Sequence, residues 1–285
     1  MAVKVVTDST SDIPPEVLKD LDIAVVPLYV VFGDKTYRDR VDIGEEEFYR
    51  KLVTDSALPT TSVPSPKDFA DVYNRLAKDT DEIISIHLTS KESGTYNAAL
   101  LGKELLEKKC RIEVVDSQSI SMACGLLAIA AAKEARAGAS LGQVAEMVRR
   151  SLQRTHILFL VDTLKYVVRG GRINKAQGLL GTVLGVKPLL TMRDGDLSLS
   201  GIARTRIKAV DRLYDFANGF PQLTDAAVPY TTNREDAEAL ASRIGAAFPR
   251  APIYVTRVGP ALGTHAGPDS MGIVVREGEG HQHVG

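Results

Sequence analysis

The sequence predicts an α/β protein built on a mostly parallel sheet covered on both faces. Three observations carry that prediction. Short apolar, β-branched runs alternate with helix-length segments through short connections along the whole chain, as when helices serve as crossovers between neighbouring strands. The 285 residues are long for one domain and comfortable for two. A composition of 44% hydrophobic and 25% charged residues is that of an ordinary globular protein with material for real cores.

Residues 3–6 form a first strand, ending in the polar turn Thr7-Asp8-Ser9-Thr10-Ser11-Asp12. Such a turn either caps and folds on itself or lies at the strand ends where open α/β sheets take ligands. Pro14 and Pro15 then start a helix to about residue 21. A second strand covers 23–32, and Phe32-Gly33-Asp34-Lys35 makes a hairpin turn. Asp42-Ile43-Gly44 caps a helix over 45–54, with acids crowded into its first turn where the helix dipole favours them. The stretch Leu58-Pro59-Thr60-Thr61-Ser62-Val63-Pro64-Ser65-Pro66 is a loop stiffened by three prolines. It is a rigid connector ending in an N-cap, or a preorganised row of hydroxyl donors for an anion.

The chain is arranged around its next unit. A buried-strand run over 83–88 leads into Ser90-Lys91-Glu92-Ser93-Gly94-Thr95-Tyr96-Asn97, and a helix over 98–106 follows. A strand, a hydroxyl-rich turn and a helix start form a common anion site, because the free N–H groups of the first helical turn point at the ligand. Ser93 and Thr95 would add hydroxyl donors; alternatively one of them simply caps the helix. A strand over 111–115 and helices over 122–137 and 141–153, parted by Gly138, complete the first half.

The second half opens with a strand over 157–161 and a helix that stops at Gly170-Gly171, before Arg172-Ile173. Gly178, Gly181 and Gly185 would share one helix stripe, suited to close packing or to a slender apolar ligand in a groove. Residues 186–192 and 197–203 form a β-hairpin around Arg193-Asp194-Gly195-Asp196, closed by Arg204-Thr205-Arg206 and a helix to about 218. A βαβ unit over 226–258 follows, then a loop from Gly259 to Pro268 that carries His265, and a strand over 271–275. A loop so rich in Gly and Pro places a side chain rather than packing it, so His265 is taken as functional.

Composition narrows the chemistry. A net charge of -1 argues against a broad nucleic-acid surface. Cys110 and Cys124 make no disulfide framework, and with no signal peptide before residue 3 the cytoplasm is the expected location. The longest apolar run, 122–132, is too short to span a bilayer. Neither G-x-G-x-x-G nor G-x-x-x-x-G-K occurs. No metal site is expected: His87, His156 and His265 are scattered, and His281-Gln282-His283 lies in a tail, 277–285, expected to be disordered. Ser93, His265 and an Asp could make a serine-dependent hydrolase or acyltransferase, although Lys91 and Gly94 spoil the G-x-S-x-G elbow.

Taken together, Val6-Thr7-Asp8-Ser9-Thr10-Ser11-Asp12, Pro59-Thr60-Thr61-Ser62, Ser93-Gly94-Thr95-Tyr96, Gly170-Gly171-Arg172-Ile173, Lys187-Pro188 and Gly263-Thr264-His265-Ala266-Gly267-Pro268 resemble the DegV family, the fatty-acid-binding proteins of bacterial fatty acid kinase systems. The resemblance implies two α/β domains: 1–155 on a mostly parallel sheet, carrying the carboxylate-binding turns, and 156–276 on a mixed sheet, forming the acyl-chain pocket. It implies no cofactor and a long-chain fatty acid as ligand. The site residues it implies are Thr61, Ser62, Ser93, Gly94, Thr95, Arg172, Arg204, Arg206, Thr264 and His265. Hydroxyls rather than a tight arginine pair would meet the carboxylate, leaving an oxygen able to attack ATP. The implied role is not catalysis. The protein would present the carboxylate to a fatty acid kinase catalytic subunit for acyl-phosphate formation and carry the product, by transient membrane contact, to phospholipid synthesis. Nucleic acid is not an implied partner. Asp269 and the stretch Val228-Pro229-Tyr230-Thr231 depart from the family pattern, the first putting a carboxylate near a site meant for one.

Overall fold

The computed structural model describes residues 2–55, 58–172 and 185–278. Its first half contains strands β1 (Lys4–Asp8), β2 (Ile23–Val26), β3 (Tyr29–Phe32), β4 (Lys35–Arg38), β5 (Thr60–Ser62), β6 (Glu82–His87) and β7 (Arg111–Asp116). The helices between and after them are α1 (Pro15–Asp20), α2 (Glu45–Thr54), α3 (Pro66–Leu76), α4 (Thr95–Lys103), α5 (Met122–Arg136) and α6 (Leu141–Leu152). The second half adds β8 (Thr155–Leu160), β9 (Lys187–Arg193), β10 (Asp196–Ala203), β11 (Leu223–Tyr230), β12 (Ile253–Arg257) and β13 (Met271–Glu277). With them come α7 (Lys165–Arg169), α8 (Arg206–Asn218), α9 (Arg234–Ala247) and α10 (Pro260–Ala266).

The apolar runs of the first half pair into a four-stranded sheet, β2-β1-β6-β7, parallel throughout. The strand expected over 23–32 is two strands. Pro27, which has no N–H to give a ladder, parts them. β2 joins the parallel sheet, whereas β3 joins a small antiparallel sheet, β4-β3-β5. The stretch expected as a loop at 58–66 contains β5, with Thr61 opposite Val30, and ends in a capping box in which Ser65 and Asp68 satisfy each other's backbone N–H groups.

The second half forms a six-stranded mixed sheet, β10-β9-β8-β13-β11-β12, in which β11–β12 is the parallel pair. α8 and α9 cover one face through Leu213, Leu240 and Ile244. The other face packs on α5, which the parallel sheet also covers, so one core cluster runs from Val5 and Ile86 through Leu126 and Ile129 to Phe159 and Val274. Twelve of the residues of α5 are buried, half of them alanines. Small side chains are what let one helix lie between two sheets. Gly125 shows how close the fit is: a Cβ there would stand 2.5 Å from the Ser11 carbonyl.

The Gly/Pro-rich stretch expected as a loop around His265 is instead mostly helix. Pro260 enters α10 at its first turn, where a missing N–H costs nothing, and Gly267 at φ 74° stops it. Gly178 and Gly181 of the glycine stripe, Ile173, and the tail from 279 onward lie outside the described residues.

Candidate functional site

The C-terminal ends of parallel strands β1 and β6 point the same way, and the turns that follow them open on a cavity of about 540 Å³ including its mouth. Its walls are apolar: Leu28, Leu88, Ile120, Met192, Leu197 and Leu262. The polar groups are Thr61, Ser93, Arg172 and His265, with Thr10 and Glu92 beside them. Both halves of the chain contribute, so the cavity lies on the seam between the two larger sheets.

Each polar group is delivered by a local rule. β5 alternates sides with period two, which turns Thr61 inward and leaves its neighbours Thr60 and Ser62 exposed. The expected row of three hydroxyls is therefore divided by strand geometry. Ser93 precedes α4, whose N-cap is Gly94, so neither Ser93 nor Thr95 is the cap residue. Instead the Ser93 and Thr95 hydroxyls lie 2.8 Å apart, and Ser93 Oγ accepts from the Thr95 N–H at 3.3 Å. α10 carries His265, whose Nε2 shares a hydrogen bond with Thr61 Oγ1 at 3.0 Å. The other ring nitrogen, Nδ1, is buried without a partner and faces Gly170; a Cβ on Gly170 would fall 2.1 Å from it. Gly170, directly after α7, thus makes room for the imidazole. Arg172 reaches back to the carbonyls of Glu92 and Gly170.

The electrostatics follow from burial. Removal from water, and then the Arg172 charge beside it, push the His265 imidazole down from 6.5 to about 4. At neutral pH the ring is uncharged and offers one donor and one acceptor. The cavity lining thus brings together neutral hydroxyls, an imidazole and one arginine, Arg172. It suits a carboxylate. A hydrolase triad is poorly served: Ser93 pairs with Thr95 and His265 with Thr61, and no carboxylate orients the imidazole among the described contacts.

Other expected site residues lie apart from the cavity. Ser62 and Gly94 border an open surface groove with Val63, Asn97 and Leu101. Thr95 is buried beneath Ser93. The Thr264 hydroxyl is turned along its own helix to the Pro260 carbonyl at 2.9 Å. Arg204 is exposed, and Arg206 is engaged by Asp236 at 2.7 Å and by the Asp269 carbonyl at 2.7 Å. The Asp269 carboxylate accepts from Thr232 at 2.8 Å, so it serves a turn rather than the cavity. Sequence reasoning did not single out Glu92 or the hairpin residues Met192 and Leu197. Their signal was slight: apolar positions flanking a turn, and an acid within the turn that carries Ser93.

These features define an α/β protein with a mostly apolar cavity whose lining includes carboxylate-compatible donors. The chain belongs to the DegV family: the model described as "Uncharacterised protein, DegV family" matches residues 2–278. A DegV domain-containing protein of Caldanaerobacter subterraneus is 38% identical over 280 residues, covering 96% of this chain and 99% of the relative. Among solved structures, one described as showing fatty acid binding of a DegV family protein from Thermus thermophilus superposes with a TM-score of 0.89 at 34% identity, covering 97% of this chain and 100% of that one. A stearic acid-binding protein from Eubacterium ventriosum superposes with a TM-score of 0.89 at 30% identity, covering 96% of this chain and 98% of that one.

Proposed function

We propose that this protein binds a long-chain fatty acid, with the acyl chain along the leucine-lined wall and the carboxylate at Thr61, Ser93 and His265. The observation that carries the reading is one cavity lined by apolar side chains together with Thr61, Ser93, Arg172 and His265. Each buried methylene contributes roughly 0.8 kcal/mol, so the chain supplies the affinity. Each hydrogen bond to the ionised carboxylate adds about 1.5–3 kcal/mol and fixes its direction. The family relatives described as fatty-acid-binding and stearic acid-binding support this ligand class.

In this reading residues 1–155 supply Thr61 and Ser93, and 156–276 supply Arg172 and His265, so the site is incomplete in either part. The protein is a cytoplasmic carrier, not a catalyst. It offers its carboxylate to a separate kinase subunit for acyl-phosphate formation and meets membranes only transiently. Exposed Arg204 and the Arg206 beside it belong to that contact surface. No helix among the described residues is long and apolar enough to cross a membrane.

Extraction of the purified protein with organic solvent, followed by mass spectrometry, tests the ligand. One long-chain fatty acid per chain is expected. An empty extract, with no acyl-chain uptake afterwards, would overturn the reading.

A further inference from the structure

The hairpin β9–β10 leans on the sheet for only part of its length. β9 pairs with β8 as far as Thr191, opposite Leu158, and the Thr191 hydroxyl donates to the Ile157 carbonyl at 2.7 Å. Beyond Thr191 the tip, residues 192–197, runs past the recorded β8 pairing, and β10 is itself the outermost strand of the sheet. The β9–β10 ladder also shifts register between Leu199 and Gly201, a bulge at which a strand bends.

The overhanging tip lands on the turn that carries Ser93. Thr89 Oγ1 donates to the Gly195 carbonyl at 2.8 Å. Lys91 Nζ reaches Asp196 at 3.0 Å, and the Leu197 N–H donates to the Glu92 carboxylate at 3.0 Å. Gly195, at φ 84°, is held so close that a Cβ would stand 2.8 Å from Thr89 Oγ1. The inner side of the same tip supplies Met192 and Leu197 to the cavity wall. Removing the tip from the turn would therefore open the cavity directly beside Ser93. Local segments at a sheet edge, held to their neighbours largely through side-chain contacts, open at a lower cost than the whole fold.

We propose that the β9–β10 tip is a latch: residues 192–197 lift from the turn at 89–92 to admit and release the ligand. The proposal rests on the fatty-acid reading above. In this scheme the Lys91–Asp196 pair and the Thr89–Gly195 contact set exchange rates, while Ser93 and the leucine walls set affinity.

Stopped-flow mixing with cis-parinaric acid, a fluorescent long-chain fatty acid, tests it. Lys91→Met is expected to raise association and dissociation rates alike by about two- to fivefold and to leave Kd unchanged, because losing an exposed pair favours the lifted tip equally in free and loaded protein. A Thr89→Cys/Gly195→Cys pair in a Cys110→Ser background is expected, once oxidised, to slow both rates about tenfold, with recovery on reduction. Wild-type uptake with the same rates in Lys91→Met, and in the oxidised and reduced pair, would overturn the latch and leave the fatty-acid reading standing. A wild-type protein that takes up no probe would overturn both.

Discussion

The turn after β1 and the turn after β6 leave adjacent parallel strands at the same end of the sheet, and both are rich in Ser and Thr. The first is tied down through its two buried acids. Asp8 accepts from the Thr10 hydroxyl, from the Thr10 N–H at 3.0 Å, from the Leu88 N–H at 3.1 Å and pairs with His87 at 3.0 Å. Asp12 accepts from the Ser121 hydroxyl at 2.6 Å, the Gly259 N–H at 2.9 Å and Arg40 at 3.0 Å. In the second turn the Ser93 hydroxyl pairs with that of Thr95 and lines the cavity. A buried carboxylate must collect donors or lose its charge, so acids close a turn around themselves. A hydroxyl, donor and acceptor at once, can stay half-satisfied at the edge of a cavity and finish its bonding with a ligand. The fully buried acids Asp8 and Asp12 mark the first turn as structural.

The comparison predicts that damage to the first turn costs stability and damage to the second costs affinity. The largest effect is expected for Asp8→Ala, which leaves His87 Nδ1 and the Thr10 and Leu88 donors without their Asp8 partner; urea unfolding should show a loss of about 3–5 kcal/mol. Next is Asp39→Asn. Asp39 lies beneath the first turn near Ser9, and burial, opposed by the Arg40 charge, raises it from 3.8 to about 7. A carboxyl so raised costs the fold stability progressively as pH rises from 3.8 to about 7, in full above that and not at all below 3.8. Asp39→Asn should therefore stabilise by about 2–4 kcal/mol at pH 8, with the gain fading towards pH 4. His265 acts with the opposite sign. Its lowered pKa withdraws stability as pH falls from 6.5 to about 4, so His265→Gln should flatten that part of the acid profile.

Two changes near the second turn sharpen the contrast. Gly170→Ala keeps a helical backbone, so its effect isolates the clash with His265 Nδ1; a loss of about 1–3 kcal/mol is expected, together with weaker ligand uptake. Ser93→Ala should weaken fatty-acid binding about tenfold, near 1.4 kcal/mol, while the unfolding midpoint scarcely moves. A large stability loss at Ser93, with affinity intact, would erase the distinction between the turns.

Much of the fold was legible because its signals are local. Alternating strand and helix patterns, the Ser65 cap and the hairpin at Asp194-Gly195 all arise from residues close in sequence. The assignment of β2 and β3 to different sheets was not legible, since Pro27 says only that a ladder breaks. Nor was α10, whose Gly and Pro residues have loop chemistry in composition but cap and pack a short helix in place. Gly263 is there for contact: a Cβ would meet the Tyr49 hydroxyl at 2.6 Å.

At the site, the sequence by itself determined which chemistry was available: neutral hydroxyls at Thr61 and Ser93, an imidazole at His265, one arginine after two glycines, and no nucleotide cradle. Tertiary structure alone decided which of these face one another. Thr61 is 204 positions from His265 and meets it at 3.0 Å, while adjacent Ser62 faces a surface groove. Residue type sets what a group can bond to, and that is written locally. Strand pleat, helix phase and sheet stacking set what it does bond to, and those exist only once distant segments have packed.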